Sequence, residues 1–269
     1  MNATERYEVF ALKYATRDAK RADHFLDKAS VRDPDAPMPM DYFVWVVQNA
    51  SRTILVDTGF TETVGTPRGR THLRRPVDGL KRLGIDAAGI DDVVITHMHY
   101  DHAGTLGDLP NARLHLQEQE LRWVTSSELF TRKATGSFEV ADVVNVVRGL
   151  YEGRVVLHEG DWELAPGIIV HLIGGHTPGI QVLRVNTGRG WVVLASDTTH
   201  YYENMETGRP FATTYDAAKV LAGFVTLHAL ADSPQHIVPG HDPLVMQRYP
   251  AVSRDLEGVA VRLDAEPAY

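Results

Sequence analysis

Tyr7, Val9 and Ala11 fall at period-two positions in residues 7–14, and that spacing predicts a half-buried strand. Two β-branched and aromatic runs, residues 41–48 and 52–56, flank Asn49-Ala50-Ser51 and predict a hairpin whose second arm ends in Asp57-Thr58-Gly59. Short apolar runs at 91–95, 112–116, 154–157, 168–173, 181–185, 191–195 and 236–238 predict further strands. Helical spacing appears at 79–83, closed by Gly84, and at 118–124 and 216–230. It appears again at 140–151, with Val143, Val144, Val147 and Leu150 on one stripe. The chain from Leu244 onward is expected to be mostly helical. Strands in two clusters, each followed by helices, predict an α/β chain with two sheets packed face to face and helices outside. No repeat or linker divides residues 1–269, so a single domain is expected.

The longest uninterrupted apolar run, Tyr42 to Val47, is six residues. That is far short of a bilayer crossing, so no membrane span is expected. The first seven residues lack the basic start and apolar stretch of an export signal, which makes the cytoplasm the expected location. With no cysteine, a disulfide frame, a thiolate nucleophile and a cysteine-ligated metal are all excluded. Lys and Arg number 27 against 35 Asp and Glu, a net charge of −8 without a basic run, so no nucleic-acid partner is expected. The unusual count is 13 histidines.

Three of them crowd into His97-Met98-His99-Tyr100-Asp101-His102. If the segment is extended, residues two apart point the same way, so His97 and His99 can converge on one cation. A turn after Tyr100 would then aim Asp101 and His102 at a second cation nearby. The competing reading is a polar, solvated loop, or histidines that satisfy one another's hydrogen bonds. Against it stand His176 in Gly174-Gly175-His176-Thr177-Pro178-Gly179, Asp197, and His241 after Pro239-Gly240. Each is the first ionisable side chain after a predicted strand, where a scaffold presents groups to a cleft.

In this order the residues resemble the motif set of the metallo-β-lactamase-fold hydrolases, and with Asp57-Thr58-Gly59 the resemblance spans roughly residues 40–245. It implies a four-layer αβ/βα sandwich with the site on the rim between the two sheets. It further implies that His97, His99 and His176 hold one ion, that Asp101, His102 and His241 hold a second, and that Asp197 bridges them. Two divalent ions in such a set suit zinc, while iron, manganese and cobalt also accept imidazole and carboxylate. The resemblance then implies hydrolysis by attack of a metal-bridging hydroxide.

Within the family, the bridging carboxylate and the lack of cysteine disfavour antibiotic hydrolysis, and His99 stands where the oxygen-reducing diiron branch usually carries Glu. The chain is most similar to the N-acyl-homoserine lactonase-like branch, which implies opening of a small lactone and a homodimer. Glyoxalase II-like thioester hydrolysis is the alternative enzyme reading, and a metal-binding sensor or structural partner the non-enzyme one. In the lactonase-like branch a tyrosine three residues after the bridging Asp donates to the substrate carbonyl or the departing alkoxide. Here His200 holds that position and Tyr201 and Tyr202 follow, so the role is expected among these three. Asp101 is the candidate to carry the proton to the leaving group, and Asp57 the carboxylate that orients a ligand.

Residues 27–42, with Pro34, Pro37, Met38, Pro39 and Met40, are expected either to wall an acyl trough or to cover a sheet edge. Arg68, Arg70, Arg74 and Arg75 have the fork that binds carboxylate or phosphate, although loop arginines are mostly solvated surface charge, and that is the reading taken here. His24, His72, His115, His158, His171, His228 and His236 have no ligand partner at a recognisable spacing and are expected to be ordinary, with His171 and His236 in strands.

Overall fold

A computed structural model describes residues 5–269; the first four, part of the stretch considered above for an export signal, lie outside the described residues. The larger of two mixed sheets contains β1 (Glu8–Arg17), β2 (Met40–Gln48), β3 (Thr53–Val56), the short β4 (Thr71–His72), β5 (Asp92–Val94), β6 (Arg113–Gln117), β7 (Val155–His158) and β13 (Ala260–Arg262). Its order is β13-β1-β2-β3-β5-β6-β7, with β4 beside β1. The smaller contains β8 (Trp162–Ala165), β9 (Ile168–Leu172), β10 (Gln181–Thr187), β11 (Gly190–Ser196) and β12 (Ile237–Pro239), in the order β12-β11-β10-β9-β8.

Helices α1 (Glu62–Gly65), α2 (Pro76–Arg82), α3 (Glu118–Val124), α4 (Glu128–Thr131) and α5 (Val140–Tyr151) follow strands of the larger sheet, against which α2, α3 and α5 pack. After β11 come α6 (Tyr202–Glu206), α7 (Ala217–Leu230) and α8 (Leu244–Arg248), with α7 against β11. Asp216 caps α7 by accepting the amides of Ala218 and Lys219, which satisfies two donors the first turn leaves open. The result is the four-layer αβ/βα sandwich expected.

Strand β2 shows why the apolar run is continuous. Phe43, Trp45 and Val47 face the core between the sheets, while Tyr42, Val44 and Val46 face the core under the outer helices. A strand buried on both faces has no polar side to alternate with. The same holds for β1, expected to be half-buried: Val9 and Ala11 enter one core, Phe10 and Leu12 the other. On α5 the packed residues are Val143, Val146, Val147 and Leu150, whereas Val144 is exposed. The tail departs most from expectation. Only α8 and a 3-10 turn, Arg254–Leu256, are helical; the chain then turns through Gly258 (φ 69°), and β13 pairs antiparallel with β1, Phe10 opposite Arg262. His171 lies in β9, but His236 sits in a 3-10 turn, Pro234–His236, rather than a strand. Strand β8 was not anticipated, because its four residues alternate over too short a span to stand out.

Inside α5, Asp142 is buried with Oδ2 lacking a hydrogen-bond partner, and burial first, then Glu139, pushes its pKa up to about 7. Between the ordinary carboxylate value and about 7 the folded chain holds a proton that the unfolded chain has released, so this group makes stability fall as pH rises through that window. Asp142→Asn should therefore raise Tm at pH 8 by several degrees and change it little at pH 4, measured by thermal melts of both proteins.

Candidate metal centre

Strands β3 and β5 run parallel, as do β11 and β12, and β9 and β11 are both antiparallel to β10 and so share a direction. Asp57 follows β3, His97 follows β5, His176 follows β9, Asp197 follows β11 and His241 follows β12. Their convergence puts all five on one rim between the two sheets, from loops that follow strands anchored in the core.

All seven expected ligands are buried and meet there. His97, His99, His176 and Asp197 offer donor atoms within 4.8 Å of one another, as do Asp101, His102 and His241. The first three imidazoles converge closely: Nε2 of His97 is 3.0 Å from Nδ1 of His99, and Nε2 of His176 is 3.2 Å and 2.9 Å from those atoms. Asp197 reaches both groups, with Oδ2 3.3 Å from Nε2 of His176, and Oδ1 3.0 Å from Nε2 of His241 and 3.4 Å from Nε2 of His102.

The outer nitrogens fix which atoms point inward. Nδ1–H of His176 donates to the carbonyl of Thr213 at 2.6 Å, that of His241 to the carbonyl of Asp41 at 2.8 Å, and that of His102 to Oδ2 of Asp57 at 2.7 Å. In a neutral ring the other nitrogen then carries a lone pair. Lone pairs therefore face one another and two carboxylates, and Nε2 of His102 and Oδ1 of Asp197 are buried without a hydrogen-bond partner. That arrangement is repulsive unless cations lie between the donors. A tetrahedral shell with metal–nitrogen bonds of about 2.0–2.1 Å sets its donors about 3.3 Å apart. The imidazole separations come close to that value, so the residues fit divalent metal.

Protonation follows the same geometry. Burial and the neighbouring imidazoles hold His97 and His99 well below their ordinary pKa, and burial takes His176 down to about 3, so all three stay neutral. Burial opposes charge on His102 and His241 too, but the carboxylates, Asp197 foremost, outweigh it and raise both, so positive charge is favoured at these two rings: a proton supplies it in the metal-free protein, and a cation displaces that proton on binding.

The loops are tied to one another. Thr58 takes the carbonyl of His102 on its amide at 2.7 Å, Gly104 donates to the carbonyl of Gly59 at 2.7 Å, and the phenol of Tyr14 donates to the Asp101 carbonyl at 2.8 Å. Glu120, buried on α3, accepts the amides of Met98 and Gly179, both at 3.0 Å, and so joins the two loops that carry His97, His99 and His176. Gly179 packs so closely that a Cβ there would lie 2.4–2.7 Å from Glu120 atoms, two of them backbone. Gly179→Ala should cost about 3 kcal/mol, seen as a fall in Tm of roughly 6–10 °C together with weaker metal retention.

A cavity of about 290 Å³ opens over the cage, lined by His99, Asp101, His176, Asp197, His200 and His241 at its floor. His200 lies against Phe211 (centroids 3.8 Å apart) with Nε2 3.0 Å from Oδ2 of Asp197. Of the three side chains expected to share the substrate-facing role, only His200 reaches this cavity. The phenol of Tyr201 is spent on the Pro39 carbonyl at 3.1 Å and on His24 at 3.2 Å. Tyr201 and Tyr202 both line a separate groove with Pro37, Met38 and Pro39. The loop of residues 27–42 divides likewise: Met40 lines the cavity, Met38 the groove.

The arginine loop also divides. Arg68 and Arg70 line the cavity, against the expectation of solvated surface charge, whereas Arg74 bonds the Lys13 carbonyl and Arg75 pairs with Asp108 at 2.5 Å. Sequence reasoning missed Arg17, Asp23, His24 and Tyr100, which also line the cavity, while Tyr42 and Met40 come from the segment expected to wall it. His24, taken as ordinary, packs its ring on Tyr201 and bonds the Met38 carbonyl at 2.8 Å.

The family model of the metallo-beta-lactamase superfamily matches residues 38–245. An N-acyl homoserine lactonase from Bacillus sp is 29% identical over 236 residues, covering 81% of this chain and 88% of the relative. A solved quorum-quenching N-acyl homoserine lactone lactonase superposes with a TM-score of 0.74 at 23% identity, covering 91% of this chain and 95% of that one. A solved N-acyl homoserine lactone hydrolase, with the product N-hexanoyl-L-homoserine bound at its catalytic metal centre, gives a TM-score of 0.72 at 22% identity, with coverages of 89% and 95%.

Proposed function

The chain belongs to the metallo-beta-lactamase superfamily, and from that premise we propose that it is a dinuclear-metal hydrolase that opens a small lactone, an N-acyl-homoserine lactone among the candidates. The observation that carries the reading is the set of inward lone pairs beneath an open cavity. His97, His99 and His176 would hold one ion, Asp101, His102 and His241 the other, and Asp197 both. Zinc suits the set, and iron, manganese and cobalt are compatible with it. When bound, such a pair supplies a nucleophile from water at neutral pH and an electrophile for the ester carbonyl.

The remaining work falls to side chains. In ring opening the acyl carbon gains the water oxygen, the ring C–O bond breaks, and a proton must reach the departing alkoxide. Asp101 lines the cavity at its floor and is the group placed to carry that proton. His200 is the donor candidate for charge developing on the substrate oxygen; a single such donor is worth about 3 kcal/mol. Phe211 stacks on its ring and fixes the ring plane.

The test is proton release on a panel of lactones, acyl-glutathione thioesters and β-lactams, with metal-loaded and chelator-stripped protein. Lactones should give the highest kcat/KM, and stripping should remove the activity. A stripped protein that kept its rate, or a loaded one that preferred thioesters, would overturn the reading.

A further inference from the structure

The chain carries a net charge of −8, yet its cavity walls are basic. Over the cage and the cavity beside it, the lining side chains apart from the candidate ligands include Arg17, Arg68, Arg70, Arg132 and Lys133 against one acid, Asp23. Three of those bases have carboxylate partners: Arg68 with Glu139 at 2.6 Å, Arg132 with Glu128 at 2.7 Å, and Arg17 with Asp23 at 3.8 Å. Arg70 and Lys133 have none within 4.0 Å among the described residues, but Lys133 is exposed to solvent, whereas Arg70 is half-buried. Its position is built. Gly69 (φ 69°) reverses the chain after the turn Thr66–Arg68, a conformation that favours glycine, and brings Arg70 to the cavity wall. Its Nε then donates to the phenol of Tyr100 at 2.9 Å and its Nη1 to the Arg68 carbonyl. Two of the fork's three nitrogens are thereby held, and Nη2 has no hydrogen-bond partner among the described residues. A rigid guanidinium with a free edge is the form in which proteins recognise a carboxylate.

We propose that the substrate of this site is a small lactone bearing an anionic group of its own, a carboxylate in the first instance, and that Arg70 holds that group while the ester lies over the cage. The inference rests on the reading of the site as a lactone hydrolase and narrows it. A neutral acyl-lactone leaves the free edge of Arg70 unanswered; a carboxylate on the ring answers it. If Arg70 merely offsets the charge of nearby Asp101, its loss would affect charged and uncharged substrates alike.

The test uses metal-loaded enzyme and a matched pair, a γ-lactone carrying a carboxylate and the same lactone with that group as a primary amide. The carboxylate form should show the higher kcat/KM, by at least about tenfold. Arg70→Gln should shrink that ratio by about 10- to 100-fold, the range for one charged hydrogen bond. Tyr100→Phe, which removes the Nε partner and keeps the charge, should retain the preference. An unaltered enzyme that favours the amide, or a ratio unchanged in R70Q, overturns the proposal. If neither compound is opened, the lactone reading fails by itself, and equilibrium binding of the two ring-opened acids decides the anion site. Tighter binding of the dicarboxylate, lost in R70Q, upholds it, and equal binding ends it.

Discussion

Asp197→Ala is expected to leave the protein unable to retain its metal through desalting and to lower lactone turnover by at least about 10³-fold, because this one carboxylate serves both halves of the cage. Its Oδ1 is 3.0 Å from Nε2 of His241, while its Oδ2 lies 3.3 Å from Nε2 of His176. Burial alone would raise its pKa, but His241, His102 and His200 outweigh burial and hold it well below the usual carboxylate range, so it is ionised at neutral pH. With alanine there, five neutral imidazoles and Asp101 face two divalent ions. The anionic donor that would screen one ion from the other is gone. The carboxylate also has nowhere else to go: Gly240 abuts it, and a Cβ at that position would lie 2.6 Å from Oδ1. Elemental analysis after desalting, beside initial rates, checks both parts. Full dinuclear occupancy with unchanged turnover would show that Asp197 does not bridge.

The cage was legible in the sequence because it is built from residue types that are costly to bury and from positions that follow apolar strands. His97, His99, Asp101 and His102 announce themselves by local spacing, and His176, Asp197 and His241 by their places after β9, β11 and β12. The two-sheet architecture followed from the same strands. The cavity wall was less legible. Arg70 and Arg75 look alike along the chain, yet Arg70, just past the turn at Gly69, lines the cavity while Arg75 meets Asp108 on the surface. Tyr201 and Tyr202 sit beside His200 in sequence, but α6 begins at Tyr202 and its approach carries both phenols to the neighbouring groove. His24 gave no signal because its partners, Met38 and Tyr201, are 14 and 177 residues away. Side-chain direction at a loop is a tertiary outcome that spacing does not encode.

Asp57 illustrates how support behind the cage should reach both stability and metal. It is wholly buried at the end of β3, in a left-handed conformation unusual for a non-glycine residue (φ 60°). Its Oδ1 accepts the Thr96 amide at 2.7 Å, and its Oδ2 accepts the Thr96 hydroxyl at 2.8 Å and Nδ1–H of His102 at 2.7 Å. Asp57→Ala leaves two buried donors, the Thr96 amide and Nδ1–H of His102, without an acceptor, while the Thr96 hydroxyl keeps Ser196 Oγ at 2.9 Å, and it should destabilise the fold by about 3–5 kcal/mol. Asp57→Asn is the sharper variant. One arm of an amide must present N–H where both carboxylate oxygens now accept, so it opposes either the Thr96 amide or Nδ1–H of His102. When it opposes His102, the ring is driven to carry its proton on Nε2, and the lone pair that would bind the second ion disappears. Metal affinity measured by chelator competition should therefore fall by about 10- to 100-fold in Asp57→Asn, a larger effect than its loss of thermal stability would suggest. Equal metal affinity in Asp57→Asn and the unaltered chain would mean that the His102 tautomer is set by something other than Asp57.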